Sequence, residues 1–235
     1  MKDEKSESAS GSRTAGSQTL ARGLDILRQV TQSTDGLTNS EVALLSGVHR
    51  TVAYRILNTL CDARLLHRGT DGRYRGAAGL LSLAAAGHQH LRNTAMPHLR
   101  RAAGELEATV ALLAREGNTA VALAVVPPDT GSYHVAFSEG AHHPLSRGAA
   151  GIALLAAEPP SEFDNAQVRQ ARELGYAQTF GEVEPNMYGL AVPLLAQNST
   201  PASCLTVITV REQTAHDALE PLQRIARRLS AELAG

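Results

Sequence analysis

The chain has 235 residues, 43% of them hydrophobic, and a formal net charge of −1, which is enough apolar material for the cores of one or two domains. No apolar run approaches the roughly 20 residues that span a bilayer, and the polar N-terminus lacks the apolar heart of a secretory signal. That excludes a membrane protein and points to the cytoplasm, where Cys61 and Cys204, in different predicted domains, read as reduced thiols.

The charge is unevenly spread. Residues 1–78 carry 11 Lys+Arg against 8 Asp+Glu, and residues 79–235 carry 11 against 15. The sign suits nucleic acid at the front of the chain and not at the back. Residues 1–17, rich in Ser, Gly and charge, read as a disordered tail.

From Thr19 to about Gln32 the pattern predicts a helix with Leu20, Leu24, Leu27 and Val30 on one stripe. Asp35-Gly36 turns the chain. Thr38-Asn39-Ser40-Glu41 then carries the capping-box pattern, in which residue 38 accepts from the third helical amide and Glu41 reaches back. Val42, Leu44 and Leu45 supply the apolar side of this short helix, and Gly47 ends it. The next helix is predicted over about 49–61, with Val52, Ile56 and Leu60 on its core face beside Ala53 and Leu57. Its other face carries Arg50, Thr51, Tyr54, Arg55 and Asn58, donors and cations on a helix of the length that enters a major groove. Leu65–Arg68 and Arg73–Arg75 flank Thr70-Asp71-Gly72, a hairpin signal. Its arginines, Arg68, Arg73 and Arg75, suit phosphate or minor-groove contact. Two helices, a tight turn and a basic ribbon in this order make a winged helix-turn-helix over residues 18–77. The expected partner is a double-stranded DNA operator, with Thr38, Asn39 and Ser40 at its edge.

Residues 78–93 read as a linker helix, with more apolar surface than one stripe needs, as a partner subunit would cover. A helix over about 94–107 holds Pro97 one turn in. Residues 94–235 then mix strands and helices. Strands are expected over 110–115, 120–126, 133–137, 176–180, 188–195 and 202–210, the last two joined by a turn at 198–201. Helices are expected over 149–157, 165–174 and 216–233. An antiparallel sheet covered by helices, its first and last helices adjacent, is the simplest assembly. The fold class is α+β.

Nine histidines raise the question of metal, but His88/His90 and His142/His143 stand without the Cys clusters or His-Glu-x-x-His spacing of a zinc site. Ser146 or Ser203 could pair with a histidine on paper, yet no Gly-x-Ser-x-Gly elbow and no phosphate-binding Gly loop is present. No metal, no cofactor and no catalytic residue is expected, and a hydrolase is the distant alternative.

In this order the segments resemble the IclR family of bacterial regulators. The resemblance rests on Leu24-Asp25-Ile26-Leu27, on Gly47-Val48-His49-Arg50-Thr51-Val52-Ala53-Tyr54-Arg55-Ile56-Leu57 and on Asp71-Gly72-Arg73-Tyr74-Arg75. In the second half it rests on Arg172-Glu173-Leu174-Gly175-Tyr176-Ala177, Glu184-Pro185 and Ala191-Val192-Pro193. The resemblance implies a GAF-like effector domain, a homodimer or dimer of dimers, repression more often than activation, and a small-molecule effector, often an organic acid or aromatic compound. It places the effector site at Ser146, Arg147, Gly148 and Ala149, with Tyr188, Gly189 and Thr206 opposite. The chain departs from the family there. The usual His-Ala-Thr-Ala run is Ser146-Arg147-Gly148-Ala149, a frequent cysteine falls at Gly189, two frequent serines fall at Thr206 and Ile208, and the segment between Ala157 and Gln167 is short. Either the ligand differs, with Arg147 as its anion partner, or the domain only oligomerises.

Overall fold

The structure, a computed structural model, describes residues 17–128, 137–194 and 201–233. The expected tail up to residue 16, the strand expected over 133–137 (all but Phe137) and the turn expected at 198–200 lie outside the described residues. The chain divides into two compact units between Gly87 and His88.

The first unit is three helices and a two-stranded ribbon: α1 (Gln18–Gln32), α2 (Asn39–Ser46), α3 (Arg50–Asp62), β1 (Leu66–Arg68) and β2 (Tyr74–Gly76). Ile26, Val30, Val42, Ala53, Leu57, Leu66 and Tyr74 form its core. The inward faces differ from those read in the sequence. On α1 it is Ile26 and Val30 that are buried, while Leu20 and Leu24 are exposed. On α2 Val42 and Ala43 point inward, and Leu44 and Leu45 stand 83% and 60% exposed. On α3 the buried stripe is Ala53, Leu57 and Leu60, with Val52 at the surface. The reason is geometric. Consecutive helical residues point about 100° apart, so a run such as Val42-Ala43-Leu44-Leu45 covers every direction and periodicity cannot choose which pair packs.

The ribbon is antiparallel, with Leu66 opposite Gly76 and Arg68 opposite Tyr74. Leu37 adds an antiparallel bridge to Tyr74, each amide donating to the other's carbonyl, at 3.0 and 2.7 Å. This close pass needs Gly36, which has φ +75°; a Cβ there would sit 2.5 Å from the Tyr74 carbonyl oxygen. The linker helix α4 (Gly79–Ala86) is shorter than expected and none of its residues is buried. It stops at Gly87, which is extended, and His88 takes φ +49°.

The second unit begins with α5 (Gln89–Leu106), five residues earlier than the sequence suggested. Pro97 therefore lies two turns inside the helix instead of one. The strands are β3 (Thr109–Glu116), β4 (Thr119–Val126), β5 (His142–Pro144), β6 (Ala177–Phe180), β7 (Tyr188–Pro193) and β8 (Ser203–Thr209). They form one sheet in the order β5-β4-β3-β8-β7-β6, and each neighbouring pair is antiparallel. The helices α6 (Gly148–Ala157) and α7 (Ala166–Leu174) were expected. The closing helix is instead two, α8 (Glu212–Asp217) and α9 (Leu219–Glu232). Pro221 accounts for the break: it has no N–H to give the Asp217 carbonyl, and its ring crowds that carbonyl.

Strand alternation sorts the core into two layers. Val110, Leu112, Leu190, Leu205 and Val207 meet α5 and α9 through Leu99, Leu222 and Leu229. Ala111, Leu113, Ala191 and Cys204 meet α6 through Ile152 and Ala153. First and last helices are adjacent, as expected, and His98 of α5 pairs with Glu232 of α9 at 3.1 Å. The C-terminal end of α6 is held by Arg172 of α7, which donates to the carbonyls of Leu155, Ala156 and Glu158 and pairs with Asp164 at 2.7 Å. Arg172 thus adds to the Glu158 amide that already caps the Leu155 carbonyl and supplies donors at the helix end, where carbonyls run out of intrahelical partners.

Leu57 is fully buried at the centre of the first unit. Leu57→Ala is expected to cost about 2–5 kcal/mol, read in urea titrations by circular dichroism as an earlier unfolding of the helical first unit.

Candidate DNA interface and ligand pocket

Two sites are built by these units. In the first, α2 starts on a closed capping box. The Glu41 amide donates to Thr38 Oγ1 at 3.3 Å, and the Glu41 carboxylate accepts from the Thr38 amide at 2.7 Å and from its hydroxyl at 2.9 Å. The same carboxylate takes both ends of the Arg73 guanidinium, at 3.0 and 3.3 Å, and Arg73 also donates to the Gly36 carbonyl at 2.8 Å. One side chain thus joins the start of α2, the turn at Gly36 and the ribbon. The Thr38 amide first, then its hydroxyl and Arg73, hold the Glu41 carboxyl below its usual value.

The exposed face of α3 carries Arg50, Thr51, Tyr54 and Arg55, with Asn58 half-buried. The helix is capped by His49, whose Nδ1 accepts from the Thr51 amide at 3.3 Å. Asn39 Nδ2 donates to the Arg50 carbonyl at 3.3 Å, so the start of α2 is tied to the start of α3. Thr38 is occupied by its cap, and Ser40 is exposed. The three ribbon arginines behave differently from one another. Arg68 is exposed, its guanidinium 5.7 Å from the centre of the Tyr74 ring. Arg75 forms a two-pronged pair with Asp71 at 2.6 and 3.1 Å, and these bonds hold the Asp71 carboxyl far below its usual value. Arg73 is the internal tether described above. Sequence reasoning gave all three one role; pairing with Glu41 and Asp71 was not visible because their partners depend on how the ribbon folds back.

In the second unit a cleft of about 450 Å³, including its open mouth, lies between the sheet and the start of α6. Gly148, Ala149, Tyr188, Gly189 and Thr206, all anticipated from the sequence, line it. The structure does not bring Ser146 and Arg147 there. Ser146 lines a separate hollow with Phe163, and Arg147 turns its guanidinium to the Glu182 carbonyl. Lining residues that the sequence did not assign to this site include Leu113, Phe137, Thr179 and Glu182, together with His143, weighed there only as a metal ligand, and Glu184, read only as part of the Glu184-Pro185 run. A glutamate in a loop carries no signal of its own until a helix start is placed beside it.

The start of α6 is already satisfied by the chain itself. The Gly148 amide donates to Glu182 Oε2 at 2.7 Å, and the Ala149 amide donates to Thr179 Oγ1 at 3.0 Å. Gly148 has φ +75°, and a Cβ there would fall 2.5 Å from Val183, so the loop after β6 sits directly on the helix start. The Thr206 hydroxyl donates to the Leu190 carbonyl at 2.9 Å. The Tyr188 hydroxyl donates to Glu212 at 3.4 Å, and burial, with that carboxylate, pushes its pKa up. Among the described residues no three His, Cys, Asp or Glu side chains converge as metal ligands, and no helix is long and apolar enough to cross a membrane.

Two family models match the chain. "IclR helix-turn-helix domain" matches residues 19–69, and "Bacterial transcriptional regulator IclR C-terminal" matches residues 83–169. A curated relative, the HTH-type transcriptional regulator Rv1719 of Mycobacterium tuberculosis, is 34% identical over 69% of this chain and 60% of its own length. The chain therefore matches somewhat less than two thirds of that relative. Among solved structures, an IclR transcriptional regulator from Alicyclobacillus acidocaldarius superposes with a TM-score of 0.78 at 21% identity, covering 94% of this chain and 100% of the other. An IclR homologue from Microbacterium hydrocarbonoxydans, complexed with 4-hydroxybenzoate, gives 0.74 at 21% identity, covering 92% and 99%.

The Glu41 tether makes a counterintuitive prediction. Removing an acidic charge near a DNA-binding face normally strengthens binding. Glu41→Ala is expected to weaken it, by releasing the ribbon, and to speed amide exchange at residues 73–76. Because the folded carboxyl is depressed, the tether is complete above the ordinary carboxyl range and is lost as pH falls through the lowered value. Protection of the amides at 73–76, measured against their intrinsic exchange rates, should therefore fall on acidification in the unmodified chain, and the fall should be absent in Glu41→Ala.

Proposed function

The chain belongs to the IclR family of bacterial transcriptional regulators, and from that premise we propose that it binds a partly palindromic operator as a homodimer or dimer of dimers and is controlled by a small molecule. The observation that carries this reading is the exposed row Arg50, Thr51, Tyr54 and Arg55 on α3, presented beside a ribbon that is locked to the same unit. A helix so presented enters the major groove, where Arg50, Thr51 and Tyr54 reach base edges or the nearest phosphates. Arg55 and Asn58 support them, and Asn39 and Ser40 face the backbone at the start of α2. Arg68 meets phosphate directly. Arg75, paired with Asp71, meets it by exchanging partners, and Arg73 acts by holding the ribbon in place.

The exposed leucines of the first unit support the oligomer. Leu81 and Leu83 of α4 and Leu20 and Leu24 of α1 are left at the surface of a single chain, and a second copy would cover them. The second unit is read as a GAF-like effector domain with its site in the cleft at the start of α6. An effector there must bind the DNA-competent and incompetent arrangements unequally, or it changes nothing. Repression is the proposed direction, as it is commoner in the family. The relatives are transcriptional regulators, not enzymes.

The test is operator binding by the purified full chain. Arg50→Ala should lose specific binding while keeping its fold and oligomeric state, and unchanged affinity would remove Arg50 from the interface. Arg68→Ala should weaken binding to all sequences and reduce the salt slope by about one phosphate contact.

A further inference from the structure

The cleft at the start of α6 is shaped for an anion in its backbone and filled with one by its own loop. A helix N-terminus concentrates unpaired amides and the positive end of the helix dipole, so it is where a carboxylate ligand would dock. Here the Glu182 carboxylate already sits 2.7 Å from the Gly148 amide, and Thr179 takes the Ala149 amide at 3.0 Å. The loop that carries Glu182 is held from a second direction, because Arg147 donates to the Glu182 main-chain carbonyl. Glu184 lines the same cleft, and among the described lining residues there is no Lys or Arg.

The remaining polar groups are mostly acceptors. His143 places Nδ1 3.0 Å from the Pro144 carbonyl, so that nitrogen carries a proton, and in the neutral ring Nε2 is an acceptor. The Thr206 hydroxyl spends its proton on Leu190, leaving lone pairs. Leu113, Phe137 and Ile208 supply apolar walls.

From this we infer that Glu182 is a built-in carboxylate that takes the anion seat, and that the cleft admits an uncharged, apolar ligand bearing a hydrogen-bond donor while rejecting carboxylates. The inference rests on the reading of the cleft as the effector site. A carboxylate guest would have to expel Glu182 and then lie beside Glu184, leaving like charges close together at reduced dielectric. An amide, phenol or alcohol on an aromatic ring meets no such repulsion and can donate to the acceptors the cleft presents.

Benzamide and benzoate are matched in shape and differ in charge and in donor content. Their binding to the full chain is measured by calorimetry and by thermal shift at matched ionic strength, for the unmodified protein, Glu182→Ala and Glu182→Gln. Circular dichroism identifies the variants that fold, and Glu182→Gln, whose amide oxygen can still accept from Gly148, guards against loss of the loop. The unmodified chain should prefer benzamide by at least about tenfold. Glu182→Ala should gain benzoate affinity by about tenfold or more, with Glu182→Gln shifting the same way to a smaller extent. Benzoate binding to the unmodified chain as tightly as benzamide would overturn the inference. So would a preference that does not change in a folded variant, or failure of both probes to bind at millimolar concentration. Operator binding is measured alongside. If the charge preference switches with Glu182 but neither probe alters operator affinity, the ligand inference stands and the effector reading of the cleft fails.

Discussion

The arrangement of the first unit depends on where one carboxylate is held. Glu41 closes the cap of α2 through Thr38 and grips Arg73 across 32 residues of chain. Charge-assisted, two-pronged bonds of this kind fix direction as well as distance. The Gly36 turn and the Leu37–Tyr74 bridge add a second attachment a few ångströms away. A two-stranded ribbon is marginal alone; with these attachments it becomes a fixed extension of the helical core. The spacing between the ribbon and the exposed face of α3 is then set by the fold, and a DNA surface can be matched without ordering a loose arm on contact.

The second unit uses the same device to a different end. Again a carboxylate caps a helix, but Glu182 arrives from a loop 34 residues away and lies at the mouth of a cleft. A cap from within the sequence, such as Thr38, serves stability alone. A cap from a distant loop also occupies space in which a ligand would bind. On the inference drawn above, a loop residue sets which ligand chemistry the cleft accepts, with the fold and the lining backbone kept.

Much of this was legible in the sequence, because local signals decide local structure. The capping box, the positive-φ Gly47, the Asp71-Gly72 turn and the period of α3 each placed an element within a residue or two. Five of the seven residues anticipated for an effector site line the cleft at the start of α6. What was not legible depends on long-range partners. Apolar runs such as Val42–Leu45 left the inward face open until neighbouring helices were placed. The roles of Arg73 and Arg75 depended on Glu41 and Asp71, and that of Arg147 on the position of Glu182. The break at Pro221 was readable, since proline lacks the N–H that a continuous helix needs, but the strong stripe around it pointed the other way. The short strand β5 has only three residues, His142–Pro144, and ends in a proline, so no alternation announces it.

The central claim is that the exposed face of α3 and the tethered ribbon read a specific DNA duplex. The most direct measurement is footprinting of the purified full chain on the DNA upstream of its own reading frame, across a salt series. The account requires a discrete protected segment with related half-sites, with affinity falling steeply and linearly in log salt. Protection without boundaries, equal on unrelated DNA at every salt concentration, would contradict it.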